Sequence, residues 1–191
     1  MKKYTIGLIT GALLAVSAMM FMGAQNKNLG DITVTSIKAL NDDGDMVGFF
    51  GSLNDRGALA LSRAGNSLPE IILVLEDAGG TIGTCNADGK ETVYLGNGEG
   101  GNGFLTTNNA DGKKTAYLGT GEDGIGLLGT FNADGKQTVY LGTSEGGFGF
   151  LSTYNKHEVK TGYFGTNKDN DGIAVLFDRY GDIGWSAIGK Q

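Results

Sequence analysis

The side chains best suited to bind a ligand are oxygen-bearing residues near the C-terminal end of the chain. Asn167, Asp169 and Asp171 alternate along the sequence, Gly172 follows them, and Asp178 stands at the twelfth position counted from Asn167. Ca²⁺ takes about six to eight oxygen ligands, which a calcium loop presents at alternate positions around a sharp bend. The spacing predicts a calcium site formed by Asn167, Asp169, Asp171 and Asp178, with an ordinary turn as the alternative.

The sequence contains no comparable arrangement of catalytic residues. Nucleophilic catalysis needs a base beside the nucleophile, and the single histidine, His157, lies in a predicted turn. The 21 acidic residues also fall mostly in predicted turns, where they serve solubility and turn formation. Cys85 is the only cysteine, so the chain forms no internal disulfide. We therefore expect a protein that is not an enzyme and needs no cofactor other than the candidate calcium.

A sequence repeat positions these side chains. Asn-Ala-Asp-Gly-Lys begins at positions 86, 109 and 132, which are 23 residues apart, and Tyr-Leu-Gly begins at positions 94, 117 and 140 with the same spacing. An altered copy, Tyr-Phe-Gly, begins at Tyr163. A fixed period maintained over four copies is the signature of a repeat architecture.

Each repeat has the pattern of a β-hairpin, so the predicted fold class is all-β. Gly103–Asn108 and Lys114–Gly119 are predicted strands, and Asn109–Lys113 between them is predicted to form a type I turn whose glycine adopts a left-handed conformation. A period of 23 residues would also fit one rung of a parallel β-helix. The recurring turn sequence favours tandem antiparallel hairpins.

Both faces of the predicted hairpins carry apolar side chains. Strict alternation places Leu118 on one face of a return strand, and places Tyr117 together with Thr115 on the other. An isolated hairpin is only marginally stable in water, so neighbouring repeats or other chains must cover these faces. The alternative is that a face stays exposed to solvent. Its tyrosine column would then stack on sugars, or its threonine column would order water.

The N-terminal segment 1–24 is predicted to be either a cleaved signal peptide or an uncleaved membrane anchor. Lys2 and Lys3 precede an uncharged run that is long enough to span a bilayer as one apolar helix, and Val16-Ser-Ala18 fits a cleavage site. Both alternatives place the remaining chain outside the cytoplasm. We expect an exported protein of the cell envelope or the extracellular space.

The remaining sequence divides by the regularity of its repeats. We expect a linker at 25–31, degenerate β-repeats at 32–79, regular repeats at 80–165, and a capping repeat at 166–191. Leu68–Leu75 is the most apolar stretch outside the N-terminal segment and is predicted to be a buried strand.

Composition excludes several protein classes. The chain has 35 glycines and one proline in 191 residues, without a glycine at every third position, which excludes collagen. The net charge of −6 and the absence of a basic patch argue against nucleic-acid binding.

The Asn-Ala-Asp-Gly-Lys and Tyr-Leu-Gly hairpins resemble the β-repeat shafts of trimeric phage tail fibres and bacterial surface adhesins. The resemblance covers residues 80–165 in motif and implies a non-catalytic shaft whose chains, as a homotrimer, share one core. It implies a structural or adhesive role, displayed from the membrane through the N-terminal segment, with a surface glycan or protein as partner. The alternative from the sequence is an extracellular module that binds carbohydrate or calcium.

Overall fold

A computed structural model describes residues 33–189 except positions 67, 99 and 122. The predicted N-terminal apolar helix at 1–24 and the linker at 25–31 lie outside the described residues. Within the described part of the chain, no helix is long and apolar enough to cross a membrane.

The described residues form one antiparallel sheet in which every strand pairs with its neighbours in sequence. This meander confirms the all-β prediction and the preference for hairpins over a parallel β-helix. Its 14 strands are β1 Ser36–Leu40, β2 Met46–Leu53, β3 Arg56–Leu61, β4 Ile71–Glu76, β5 Gly79–Cys85, β6 Glu91–Asn97, β7 Gly103–Asn108, β8 Lys114–Thr120, β9 Gly126–Phe131, β10 Gln137–Thr143, β11 Gly149–Tyr154, β12 Lys160–Thr166, β13 Gly172–Phe177 and β14 Ile183–Ile188.

The predicted turn chemistry is confirmed. In the turn between β7 and β8, the Gly112 N–H donates to the Asn109 carbonyl at 2.9 Å, and Gly112 has a φ of 81°. The Asn109 side-chain oxygen accepts the backbone N–H groups of Asp111 and Lys113, each at 3.0 Å. Asparagine therefore closes the turn from its own side chain, and glycine supplies the left-handed residue.

One turn of this series places a glutamate in the left-handed position. Glu158 has a φ of 63°, where the equivalent Gly135 has a φ of 82°. A side chain in this conformation costs about 1–2 kcal/mol. We expect Glu158→Gly to raise the free energy of unfolding by about 1 kcal/mol, because it removes this backbone strain. The gain is smaller than the strain, since glycine has greater freedom in the unfolded chain.

Urea unfolding at fixed chain concentration measures this effect. Glu158→Gln is the matched control, because it removes the charge and keeps the strained backbone. Equal gains for Glu158→Gly and Glu158→Gln would assign the effect to charge and contradict the role of backbone conformation.

The sheet has two chemically different faces. We call the face that carries Tyr94, Tyr117, Tyr140 and Tyr163 the tyrosine face. The opposite face carries Leu105, Leu118 and the residues at every second position from them along each strand. We call it the leucine face. The buried side chains that the structure describes are Ala58, Thr81, Thr106, Ser152 and Val175, all of which belong to the tyrosine face.

The threonines of the return strands lie on the leucine face, so the prediction that they share a face with the tyrosines is wrong. A β-bulge interrupts the register: Thr107 pairs with Ala116, and Asn108 pairs with Lys114, which leaves Thr115 as the extra residue. The Thr115 hydroxyl lies 2.9 Å from the Thr107 hydroxyl. A bulge turns its extra residue toward the same side as its neighbour, which strict alternation does not anticipate.

The prediction that Leu68–Leu75 forms a buried strand is also wrong in part. A strand forms at Ile71–Glu76, as β4, but Ile71, Leu73 and Leu75 are exposed on the leucine face. The sheet is a single layer, and no other described element covers this face. The sheet also continues without interruption through the degenerate, regular and C-terminal repeats.

Candidate functional site

The tyrosine face is built by alternating large and small side chains across the sheet. Along one row, Tyr117 has Thr106 and Gly129 as its directly paired neighbours on the two adjacent strands. In the next row, Phe104 is paired with Gly96 and Gly119. Each aromatic ring therefore has room above the small residues of the neighbouring strands.

This alternation lets the rings stack across the strands. Phe104 lies between Tyr94 and Tyr117, with ring centroids 5.2 Å and 5.5 Å apart. Phe150 lies between Tyr140 and Tyr163 at 5.2 Å and 5.6 Å. The interplanar angles of 17–23° bring the ring faces against one another, and such pairs contribute about 0.5–1.5 kcal/mol each. The two rings at the centres of these stacks have both faces covered, so they offer only edges to a sugar.

Burial favours the neutral form of one stacked tyrosine, Tyr94. The pKa of the Tyr94 hydroxyl is raised above its ordinary value of 10.0 by burial, and the nearby charges of Glu76 and Glu91 raise it further. The Tyr94 phenol is therefore held further toward its neutral form.

The predicted calcium residues do not come together. Asn167, Asp169 and Asp171 lie in the turn before β13. Asp178 lies in the turn after β13, at the other end of the strand. Six strand residues separate the two turns by about 20 Å. In the part of the chain that the structure describes, no three His, Cys, Asp or Glu side chains are grouped to hold a metal ion.

The side chain of Asn167 closes its own turn as the repeat asparagines do. Its side-chain oxygen accepts the N–H groups of Asp169 at 3.0 Å and Asp171 at 2.9 Å. Calcium binding by this segment stays a prediction, and it concerns the turn residues without Asp178.

Asp178 occupies the position that asparagine holds in the repeat turns. Its carboxylate accepts the backbone N–H groups of Tyr180 at 2.8 Å and Asp182 at 3.0 Å. The bond from Tyr180, followed by that from Asp182, holds the pKa of Asp178 below its ordinary value of 3.8.

A pH dependence of stability follows from this lowered pKa. A carboxyl group whose pKa is lower in the folded state stabilises the fold above its unfolded pKa, and the contribution is lost as the pH falls through the folded pKa. We expect Asp178→Asn to lose less stability than the unaltered chain when the pH falls below about 4. Asparagine keeps the acceptor oxygen and does not titrate there. Thermal unfolding of both chains across this range measures the difference, and parallel curves would contradict it.

Asparagine amides also link successive turns along one edge of the sheet. The side-chain amide of Asn86 donates to the Ala110 carbonyl at 3.3 Å, and that of Asn109 donates to the Ala133 carbonyl at 3.3 Å. The conserved spacing of the motif therefore places each turn in contact with the turn of the next repeat.

The other residues considered for chemistry stand apart from one another. His157 is exposed in the turn after β11, where its backbone N–H donates to the Asn155 side chain at 2.9 Å. Cys85 is a half-buried free thiol on the tyrosine face, paired with Glu91. These two residues belong to different repeats.

The feature that sequence reasoning missed is a continuous apolar row across the leucine face. One residue from every strand pairs directly with one from the next. We call this set the leucine row: Ile37, Phe50, Leu59, Leu73, Ile82, Leu95, Leu105, Leu118, Leu128, Leu141, Leu151, Phe164, Ala174 and Ala187. Leu118 is 54% exposed and Phe164 is 67% exposed.

Smaller side chains flank the leucine row in β7 to β12, whereas larger residues such as Leu75 and Trp185 flank it in β4 and β14. On one side, Thr143 pairs with Gly149 and Thr166 pairs with Gly172, and these small pairs border a groove of about 690 Å³ along the row. On the other side, a threonine faces alanine or valine, as Thr130 faces Val139. The alternation of Leu and Thr within single strands was the sequence signal for this surface.

The threonine hydroxyls on the leucine face satisfy one another. The hydroxyl of Thr115 donates to the Thr107 carbonyl at 3.1 Å, which leaves the Thr107 hydroxyl to donate to that of Thr115. The same pairing recurs between Thr130 and Thr138. The paired threonine hydroxyls therefore have their hydrogen-bond partners within the chain itself.

Comparison with known proteins finds no family model that matches this chain and no curated protein with significant sequence similarity to it.

Proposed function

We propose that the protein is a non-catalytic structural or adhesive component of the cell envelope. In this proposal the N-terminal segment 1–24 exports the chain and serves as its membrane anchor, and the β-repeats form a homotrimeric shaft that displays an outer surface to a glycan or protein partner. The observation that carries the proposal is the leucine row, a charge-free apolar surface that repeats on every strand of the sheet.

The chemistry of the repeats supports a structural role. Their recurring asparagine, tyrosine and threonine residues close turns, stack rings and pair hydroxyl groups within the sheet. Stacked repeats of this kind gain stability from the contact of each unit with its neighbours. A shaft needs no further chemistry.

Two measurements test the proposal. A C-terminal epitope tag should be cleaved by protease added to intact cells, whereas a cytoplasmic control protein should stay intact. Light scattering of the purified full chain, with the contribution of bound detergent subtracted, should give the mass of three chains. A monomer, or a tag protected until lysis, would contradict the proposal.

The same preparation tests the alternative of a calcium-binding module. A rise in melting temperature on adding calcium, which is lost on adding chelator and absent from Asp169→Asn, would favour it. We expect no shift, because the shaft is stabilised by contacts within and between sheets.

A further inference from the structure

From the distribution of side-chain sizes on the sheet, we infer that the leucine face is the inner face at which three copies of this chain meet, with the leucine rows running side by side along a threefold axis. The inference rests on the homotrimer of the proposed function and identifies the surface through which its three chains associate. The occupant of the leucine face is therefore a second and a third copy of the same chain.

The chemistry of the leucine face favours its burial against other copies. Nine members of the leucine row have 40% or more of their surface exposed, and the row and its two flanking rows contain no charged side chain. Monomeric proteins seldom expose a continuous apolar surface of this extent. The paired hydroxyls on this face, such as those of Thr107 and Thr115, already have partners, so covering these pairs leaves them satisfied.

The area of the leucine face is comparable to that of a stable interface. Strands lie about 4.8 Å apart, so 14 strands extend the sheet by about 60 Å, and three rows of one face cover a width of about 14 Å. The product is about 850 Å² for each chain, compared with about 800 Å² for each partner in a standard stable interface. The leucine face is therefore large enough to hold copies together.

The distribution of side-chain sizes favours a threefold assembly over a twofold one. Two sheets packed face to face keep a gap of about 10 Å across their whole width. Small pairs such as Thr120 with Gly126 would leave that gap unfilled beside the leucine row. Three sheets around an axis instead approach each other closely at the corners, where only small side chains fit. In strands β7 to β12, the leucine face has its largest residue in the middle of each strand and smaller ones toward the ends.

Strand length agrees with the same arrangement. Six residues span about 20 Å, and the middle of each side of an equilateral triangle with that edge lies about 6 Å from its centre. Half of the usual separation between packed sheets is about 5 Å. Leucine side chains from three copies would therefore meet at the axis. The groove of about 690 Å³ beside the row would receive the edge of the neighbouring copy.

The tyrosine face has a different character. Its rings cover one another, and its central small residues such as Ser152 are already buried within one chain. It also carries charges at its margin, including Lys114 and Lys160, each of which lies over a tyrosine ring. These properties suit an outer face in contact with water.

The first experiment changes the charge on each face of the full chain. Leu118→Lys places a lysine of each copy at the axis, so we expect the three-chain mass to be lost. Gln137→Lys is the matched control, because its position on the tyrosine face corresponds to Lys114 and Lys160 in other repeats, and we expect the mass of three chains to be kept. A three-chain mass for Leu118→Lys would overturn the inference.

A second experiment does not depend on a destabilising change. Leu118→Cys in a Cys85→Ser background should form a disulfide between two of the three copies when the native protein is oxidised with diamide, and a non-reducing gel should show a two-chain band. The unaltered chain, whose Cys85 lies on the tyrosine face, should show none.

The outcomes separate the inference from the function on which it rests. A three-chain mass without cross-linking of Leu118→Cys overturns the inference and leaves the trimeric shaft standing. A two-chain mass with cross-linking overturns the threefold arrangement, and a one-chain mass for the unaltered protein overturns both the inference and the homotrimer.

Discussion

Gly119→Ala is expected to lower the free energy of unfolding by about 2–3 kcal/mol, which is the usual cost of forcing extra atoms into a packed site. A Cβ atom at this position would lie 2.5 Å from the Cβ of Phe104 and 2.9 Å from the Gly103 carbonyl oxygen. Neither atom can move by a change of rotamer, so the two strands must separate. The glycine of the Tyr-Leu-Gly motif is therefore required by the close approach of the facing strand.

Gly129→Ala provides the control on the same face. Its added Cβ atom would have as nearest neighbours the outer atoms of Phe131 and Gln137, at 3.4–3.5 Å. Other repeats place Thr106, Ser152 and Val175 at this position in the sheet. We expect a change within about 1 kcal/mol, on the stabilising side, because alanine reduces the freedom of the unfolded chain.

Chemical denaturation at equal chain concentration compares the two variants. A loss at Gly119 no greater than that at Gly129 would show that the strands accommodate the extra methyl group, and would contradict the packing role of the motif glycine.

Phe150→Ala is expected to cost about 3 kcal/mol, in the range of large-to-small substitutions at aromatic sites. The Phe150 ring contacts Tyr140 on one side and Tyr163 on the other, so truncation removes two stacked pairs as well as apolar contact. It also opens the tyrosine face above Gly165, which lies beneath the Phe150 side chain. The loss should appear as a lower denaturation midpoint.

Phe150→Leu is the matched control, since the middle repeat naturally has Leu127 at the equivalent position. We expect it to lose only the stacking part, about 1–3 kcal/mol for two pairs, and less than Phe150→Ala loses. Equal losses for the alanine and leucine variants would contradict the proposed contribution of apolar contact, and no loss for either would remove the stack as a source of stability.

The sequence was sufficient to predict the hairpins. The motif Asn109-Ala-Asp-Gly-Lys113 determines its own turn, because the asparagine side chain and the left-handed glycine act within five residues. The strand Gly103–Asn108 was predicted with the bounds that the structure has. Local chemistry of this kind does not depend on what packs against the turn.

Side-chain placement was less predictable. Thr115 lies on the leucine face because the turn is followed by a bulge, and a bulge depends on the pairing of two strands. The exposure of Leu73 was unexpected for a similar reason: an apolar stretch indicates that burial is favourable, and it does not say whether the cover comes from the same chain.

The candidate calcium site shows the same limit. Asn167 and Asp178 are close in sequence, and their spacing suits a compact loop. The strand β13 between them extends instead, and it carries the two turns to opposite edges of the sheet.

By itself, the sequence determined the 23-residue period, the turns and the all-β fold, since these follow from residues that interact within one hairpin. Only the tertiary structure decided which side chains align across 14 strands. Alignment across a sheet is set by the register of every pair, and a single bulge in each repeat changes which face a residue joins. The leucine row and the stacked tyrosines are products of that register.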